Sequence, residues 1–152
     1  MEPRNYFNSV IAPSIESFKA NETRSNLIAA FNALYHMVDY IAAEICAEPE
    51  SVRDDIIEKY PNFKIVYSVC LAQKHVIVKS KTGHTGLNAA DIKPKSNKVL
   101  LVGGKALVVA GSVITMSAPS IVSIDGTRVL LKDLIAEAAN YLDQYIDNMA
   151  TK

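Results

Sequence analysis

The chain has 152 residues, 49% of them hydrophobic and 21% charged, with sixteen lysines and arginines balancing sixteen aspartates and glutamates. That length suits one domain, since domains cluster near roughly 100–150 residues, and 6 glycines with 6 prolines are ordinary for a globular chain. Zero formal net charge excludes a uniformly basic nucleic-acid binder and an acidic disordered solubiliser, while saying nothing of how charge is distributed.

Residues 1–13 contain Pro3 and Pro13 without hydrophobic periodicity and are expected to form a lead-in segment. Ser14 is the expected N-cap of a long helix, because neither glycine nor proline occurs from Ile15 to Ala47. Within it Leu27, Phe31, Leu34, Val38, Ile41 and Ile45 form one apolar stripe, widened by Ile28, Tyr35 and Ala42. Asn21-Glu22-Thr23 suits a new cap and marks the expected break. After Pro49, Ser51 is expected to cap a second helix through about Tyr60, with Val52, Ile56, Ile57 and Tyr60 inward. After Pro61, Asn62 is placed to cap a third, with Phe63, Val66, Tyr67, Cys70 and Leu71 on its apolar face. The β-branched run Val76-Ile77-Val78 should end it.

Residues 79–98 read as a loop, and a loop of about 20 residues in a compact domain is normally functional or disordered. The period then changes. Val99–Val102, Ala106–Ala110, Val113–Met116 and Ile121–Ile124 are β-rich, with hairpin signals at Gly103-Gly104 and Asp125-Gly126. Leu130–Met149 returns to helical spacing, with Leu131, Leu134, Ala138, Leu142, Tyr145 and Met149 on one face. The expectation is an α+β fold in a single domain, 1–152: a helical bundle with a small antiparallel meander of three or four strands before the last helix. The sheet edge and the long first helix suggest a homodimer.

No apolar run approaches the roughly 20 residues of a membrane span. The start of the chain lacks a basic region followed by an apolar core, so no membrane association and a cytoplasmic location are expected. Cys46 and Cys70, each among apolar residues, read as two buried free thiols.

Charge is uneven. Lys74, Lys79, Lys81, Lys93, Lys95 and Lys98 stand against Asp91 alone, a net +5 in 25 residues, so the remainder carries −5. Residues 36–58 hold seven acids against Arg53. The basic stretch suits phosphate, an RNA backbone or the acidic surface of a protein partner, with Lys79, Lys81, Lys93, Lys95 and, from the first helix, Arg24 as candidate anion ligands. It contains no arginine for a bidentate phosphate grip and no interleaved aromatic for base stacking. Gly83-His84-Thr85-Gly86 lacks the Gly-Lys-Ser/Thr ending of a nucleotide loop.

Polar residues near apolar faces supply the candidate catalytic groups. Asn32, His36 and Asp39 fall at i, i+4 and i+7, along one edge of the stripe. Arg24 extends the stripe backward, which places it near the buried face. Lys74 shares the face of Tyr67 and Cys70, and His75 follows it; antiparallel helices would bring His36 or Asp39 toward Lys74 or His75. Three chemistries fit. The first is general acid–base catalysis by His36 or His75 with Lys74 or Arg24 steadying an anion, as a metal-independent nuclease requires. The second is a metal site from His36, His75 and His84 with Asp39 or Glu44, but no His-x3-His spacing occurs, so no metal or cofactor is expected. The third is structural hydrogen bonding between helices, worth about 1 kcal/mol apiece. A serine nucleophile is not indicated, since no Gly-x-Ser-x-Gly occurs, and apolar surroundings disfavour a cysteine thiolate.

The run Asn32-Ala33-Leu34-Tyr35-His36-Met37-Val38-Asp39-Tyr40, the Lys74-His75 pair and the Asp125-Gly126 turn before a closing helix resemble small uncharacterised bacterial proteins. Their helical part looks loosely like the HEPN superfamily, whose active ribonucleases carry an arginine, four to six intervening residues and then a histidine near a helix end. Neither Arg24 nor Arg53 has a histidine at that spacing, and Lys74 abuts His75 directly. The leading expectation is therefore a non-catalytic interaction module that binds a partner or anion through the basic loop. The resemblance implies the alternative, a HEPN-like RNA-binding or RNA-cleaving protein using His75, Lys74, His36 and Asp39.

Overall fold

The structure is a computed structural model that describes residues 1–74, the strand residues 92–93, 96–99, 101–102, 105–106, 108–109, 112–113, 115–118 and 121–124, and residues 127–150. It is mostly helical: α1 (Pro3–Tyr6), α2 (Ala12–Ala20), α3 (Arg24–Glu44), α4 (Pro49–Lys59), α5 (Phe63–Lys74) and α6 (Leu131–Ala150).

The expected lead-in is helical instead. Pro3 occupies the first turn of α1, where its missing N–H costs nothing, and a π-helical turn, Phe7–Ile11, carries the chain into α2 without a break. Pro13 stands one residue beyond that turn, after Ala12. In a regular α-helix its ring would collide with the carbonyl four residues back; the wider π turn re-phases the backbone just ahead of it. Ser14 is consequently an internal residue rather than a cap, and its Oγ donates to the Val10 carbonyl at 2.7 Å.

The break near Asn21 stands where the sequence puts it. Thr23 caps α3 by accepting from the Asn26 N–H at 3.2 Å. The Asn26 side chain donates to the carbonyls of Ser17 (3.1 Å) and Asn21 (2.8 Å), which ties the end of α2 to the start of α3. At its other end α3 closes in a Schellman motif, with Ala47 N–H on the Ala42 carbonyl (2.9 Å) and Cys46 N–H on that of Ala43 (3.4 Å). Cys46 takes the left-handed conformation there, φ 53°, and is exposed rather than buried. Ile45, the C-cap, leaves the stripe and is 48% exposed, because the helical phase ends before it.

Helix α4 starts two residues before the expected Ser51, with Pro49 pre-set for its first turn and Glu50 beside the positive end of the helix dipole. Val52 and Ile56 are buried, whereas Ile57 and Tyr60 pack only partly. On α5, Phe63, Val66, Val69 and Cys70 are buried; buried Ser68 satisfies its hydroxyl on the Lys64 carbonyl at 2.8 Å.

Helix α3 is central, packing against α1, α2, α4, α5 and α6. Its large residues Leu27, Phe31, Leu34, Val38 and Ile41 are buried as expected, with Ala42 beside them, and so is an adjoining face of Ala30, Ala33 and Met37. Small residues on that face let neighbouring helices approach closely. Phe18, Ile56, Phe63, Leu131, Ile135 and Leu142 complete the core from the surrounding helices, each large side chain contributing about 1.5–3 kcal/mol on burial.

The expected single meander is not what the chain builds: neighbouring strands pair as short separate hairpins, and long-range pairs enclose them rather than extending one sheet. Among the described residues, strands of two to four residues lie between Ile92 and Leu130: β1 (Ile92–Lys93), β2 (Ser96–Val99), β3 (Leu101–Val102), β4 (Lys105–Ala106), β5 (Val108–Val109), β6 (Ser112–Val113), β7 (Thr115–Ala118), β8 (Ile121–Ile124) and β9 (Thr127–Leu130). The pairings among these strands are antiparallel, with β8 between β1 and β9, and separate pairs β2–β7, β3–β4 and β5–β6. Part of the expected 79–98 loop is thus strand; Gly103-Gly104 and Asp125-Gly126 lie outside the described residues. Among the described residues no helix is long and apolar enough to cross a membrane.

Candidate functional site

Of the candidate catalytic residues, His36 and Asp39 meet each other. His36 and Asp39 are one helical turn apart on α3, flanking the buried Met37 and Val38, and His36 Nδ1 lies 3.1 Å from Asp39 Oδ2. Their side chains are 48% and 55% exposed. The Tyr35 ring meets His36 edge-on, with centroids 5.2 Å apart, and stacks on Tyr67 of α5 at 5.6 Å.

From α4, Arg53 completes the group. Its guanidinium lies 4.9 Å over the Tyr67 ring and reaches the Tyr67 hydroxyl at 3.4 Å, while Nε and NH2 donate to Asp54 at 3.1 and 3.0 Å. Burial alone would favour neutral guanidine, but the Asp54 carboxylate overrides it and raises the Arg53 pKa. The Tyr35 phenol is also pushed up, first by burial and then by Tyr67, so it stays protonated. Tyr35, Val38, Asp39, Glu50, Arg53 and Tyr67 line a cleft of about 170 Å³ where α3, α4 and α5 meet.

A histidine–carboxylate pair moves a proton usefully only when a substrate is held against the ring and a positive group steadies the developing anion. Here Arg53, the nearby cation lining the cleft, is engaged by Asp54 and Tyr67. Arg24 is the first residue of α3 and is exposed, not near the buried face as expected, because the stripe starts only at Leu27. Twelve residues separate it from His36, about 18 Å along a helix, so the two do not share a site. Lys74 ends α5, with its side chain outside the description. His75, Lys79, Lys81, His84 and Lys95 lie outside the described residues, and Lys93 is placed only as a strand residue opposite Ile121. Among the described residues no three His, Cys, Asp or Glu side chains converge as a metal site.

Sequence reasoning missed the tyrosines. All seven engage another tyrosine ring: Tyr6 with Tyr40 at 4.0 Å, Tyr35 with Tyr67, Tyr60 with Tyr141 at 5.0 Å, and Tyr141 with Tyr145 at 6.1 Å. Such pairs add about 0.5–1.5 kcal/mol beyond the area they bury. The signal available was a chain with no tryptophan whose tyrosines stand on or beside apolar helical faces. Comparison with known proteins finds no matching family model, no matching curated protein and no matching solved structure.

Proposed function

We propose that this chain is a non-catalytic interaction module: a helical bundle whose basic segment, Lys74–Lys98, engages an anionic partner. The observation that carries this reading is the segregation of charge. Residues 1–73 and 131–150, which supply the helices, hold seven cations and fourteen acids, while the 25 residues from Lys74 to Lys98 hold six cations and one acid. The helical body repels an anion and the segment attracts it, so an anionic surface meets the molecule through that segment. The exposed His36–Asp39 pair, with Arg53 held elsewhere, supports a binding role over catalysis. The loose HEPN likeness makes RNA the anion to try first. The same complementarity suits a homodimer, an acidic body meeting a second copy's basic segment. Two free thiols, one exposed, suit a reducing compartment such as the cytoplasm.

The test is anisotropy of a labelled single-stranded RNA and of a labelled polyglutamate peptide, titrated with the wild type and with a variant carrying Lys79→Glu, Lys81→Glu, Lys93→Glu and Lys95→Glu. Binding of one probe should weaken linearly with log salt, for RNA with a slope of about −0.7 per phosphate contacted. The reversed variant should lose most of it, and His36→Ala should change nothing. Binding indifferent to salt and to charge reversal would sink the reading. RNA cleavage lost on His36→Ala would replace it with the catalytic one.

A further inference from the structure

A second aromatic group lies where the end of α4 meets α6. Tyr60 and Tyr141 stack nearly parallel, 19° apart, and Tyr145 adjoins Tyr141 at a tilt of 45°. Two of the hydroxyls are anchored on carboxylates: Tyr145 donates to Asp55 at 2.8 Å and Tyr60 to Glu137 at 3.3 Å. The Lys59 ammonium donates to the same Asp55 carboxylate at 2.7 Å and stands 5.7 Å over the Tyr145 ring. Beside it opens a cleft of about 330 Å³, lined by Lys59, Tyr141, Gln144, Tyr145, Asn148 and Met149.

Ring faces attract cations through their quadrupole, and a phenol donating to a carboxylate has a more electron-rich ring. Burial and Asp55 keep the Tyr145 phenol protonated, with its pKa pushed up to about 12. The chain's own ammonium already sits in this environment, which identifies the chemistry the seat accepts. Its hold is weak: the Lys59 and Asp55 side chains are 56% and 38% exposed, and exposed ion pairs contribute little. An alkylated ammonium is less strongly hydrated than the lysine head and offers methyl groups to the two tyrosine faces and to Met149. With Lys59 swung away, Asp55 and Glu137 leave the junction net negative.

We propose that this cleft binds an organic cation, a methylated or quaternary ammonium group, seated on Tyr141 and Tyr145 against Asp55 in place of the Lys59 ammonium. Choline is the probe, followed by NMR at the tyrosine ring and Met149 methyl signals, with its uncharged carbon isostere as control. Saturable shifts are expected with choline and not with the isostere. Tyr145→Leu should weaken binding about tenfold. Lys59→Gln should tighten it several-fold, because the resident competitor is gone, and a purely structural role for these residues would give no such gain. Should Tyr145→Leu fail to fold, Tyr145→Phe keeps the ring and loses only the anchor to Asp55, and a smaller loss is expected. Equal binding of the isostere, no saturable shift in wild type and in Lys59→Gln alike, or weaker binding in Lys59→Gln overturns the proposal.

Discussion

Arg4 of α1 is clasped by Asp143 of α6: its guanidinium pairs with the carboxylate and also donates to the Asp143 backbone carbonyl at 3.2 Å, across 139 positions of sequence. Asp147, one turn further along α6, accepts from the same guanidinium. The hydrogen bond to Asp143 is the main reason the Arg4 pKa is raised. The first turn of the chain is thereby fastened to its last helix.

Arg4→Ala should lower stability by about 1 kcal/mol, the upper end for partly exposed ion pairs, because one fork serves two carboxylates. Urea denaturation should show an earlier midpoint with an unchanged slope, since no core surface is lost. A midpoint identical to wild type would mean that the clasp contributes nothing to folding.

Cys46→Gly should stabilise the protein. Cys46 holds the left-handed position that ends α3, which costs a residue with a Cβ roughly 1 kcal/mol and costs glycine little. Its side chain is exposed, so its removal forfeits almost no packing. A gain of about 0.5–1 kcal/mol in thermal unfolding is expected, and Cys46→Val should move the other way.

Alkaline pH should unfold the protein in a defined window. Burial raises the Tyr6 and Tyr145 phenols from 10.0 to about 12, with Tyr40 and Asp55 respectively adding to the effect. Above 10 the unfolded chain releases these protons while the folded chain keeps them, so stability falls as pH rises. It should be intact below pH 10 and decline toward 12, the range set by those two groups. Denaturation midpoints across this range, alongside tyrosinate absorbance of the folded protein, check it. Phenols of the folded protein titrating together near 10 would contradict the burial seen.

Helices α3, α4, α5 and α6 were largely legible because apolar spacing near 3.6 residues survives without tertiary information. The Pro3–Ala20 stretch was not, because Pro13 reads as a terminator unless a π turn precedes it. Local chemistry was legible for the same reason as local structure. His36 and Asp39 meet because three residues make almost one helical turn. The Tyr35–Tyr67–Arg53 group joins three helices, and nothing in the spacing along any one of them specifies that meeting.

Two residues mark the boundary. Leu34 is buried on either reading, since its place in the apolar stripe is a matter of sequence alone. Arg24 extrapolates onto the same stripe yet is exposed, because the packing partners begin only one turn later. Sequence by itself determined the helices from α3 onward, the large-residue face of α3 and the separation of an acidic body from a basic segment, all properties of neighbours along the chain. Only the tertiary structure decided that α3 is also enclosed on the face of Ala30, Ala33 and Met37, that each of the seven tyrosines meets another tyrosine ring, and that Lys59 rests on a tyrosine–carboxylate seat. Those depend on which helix faces which, and close packing, unlike periodicity, is settled by shape across the whole core.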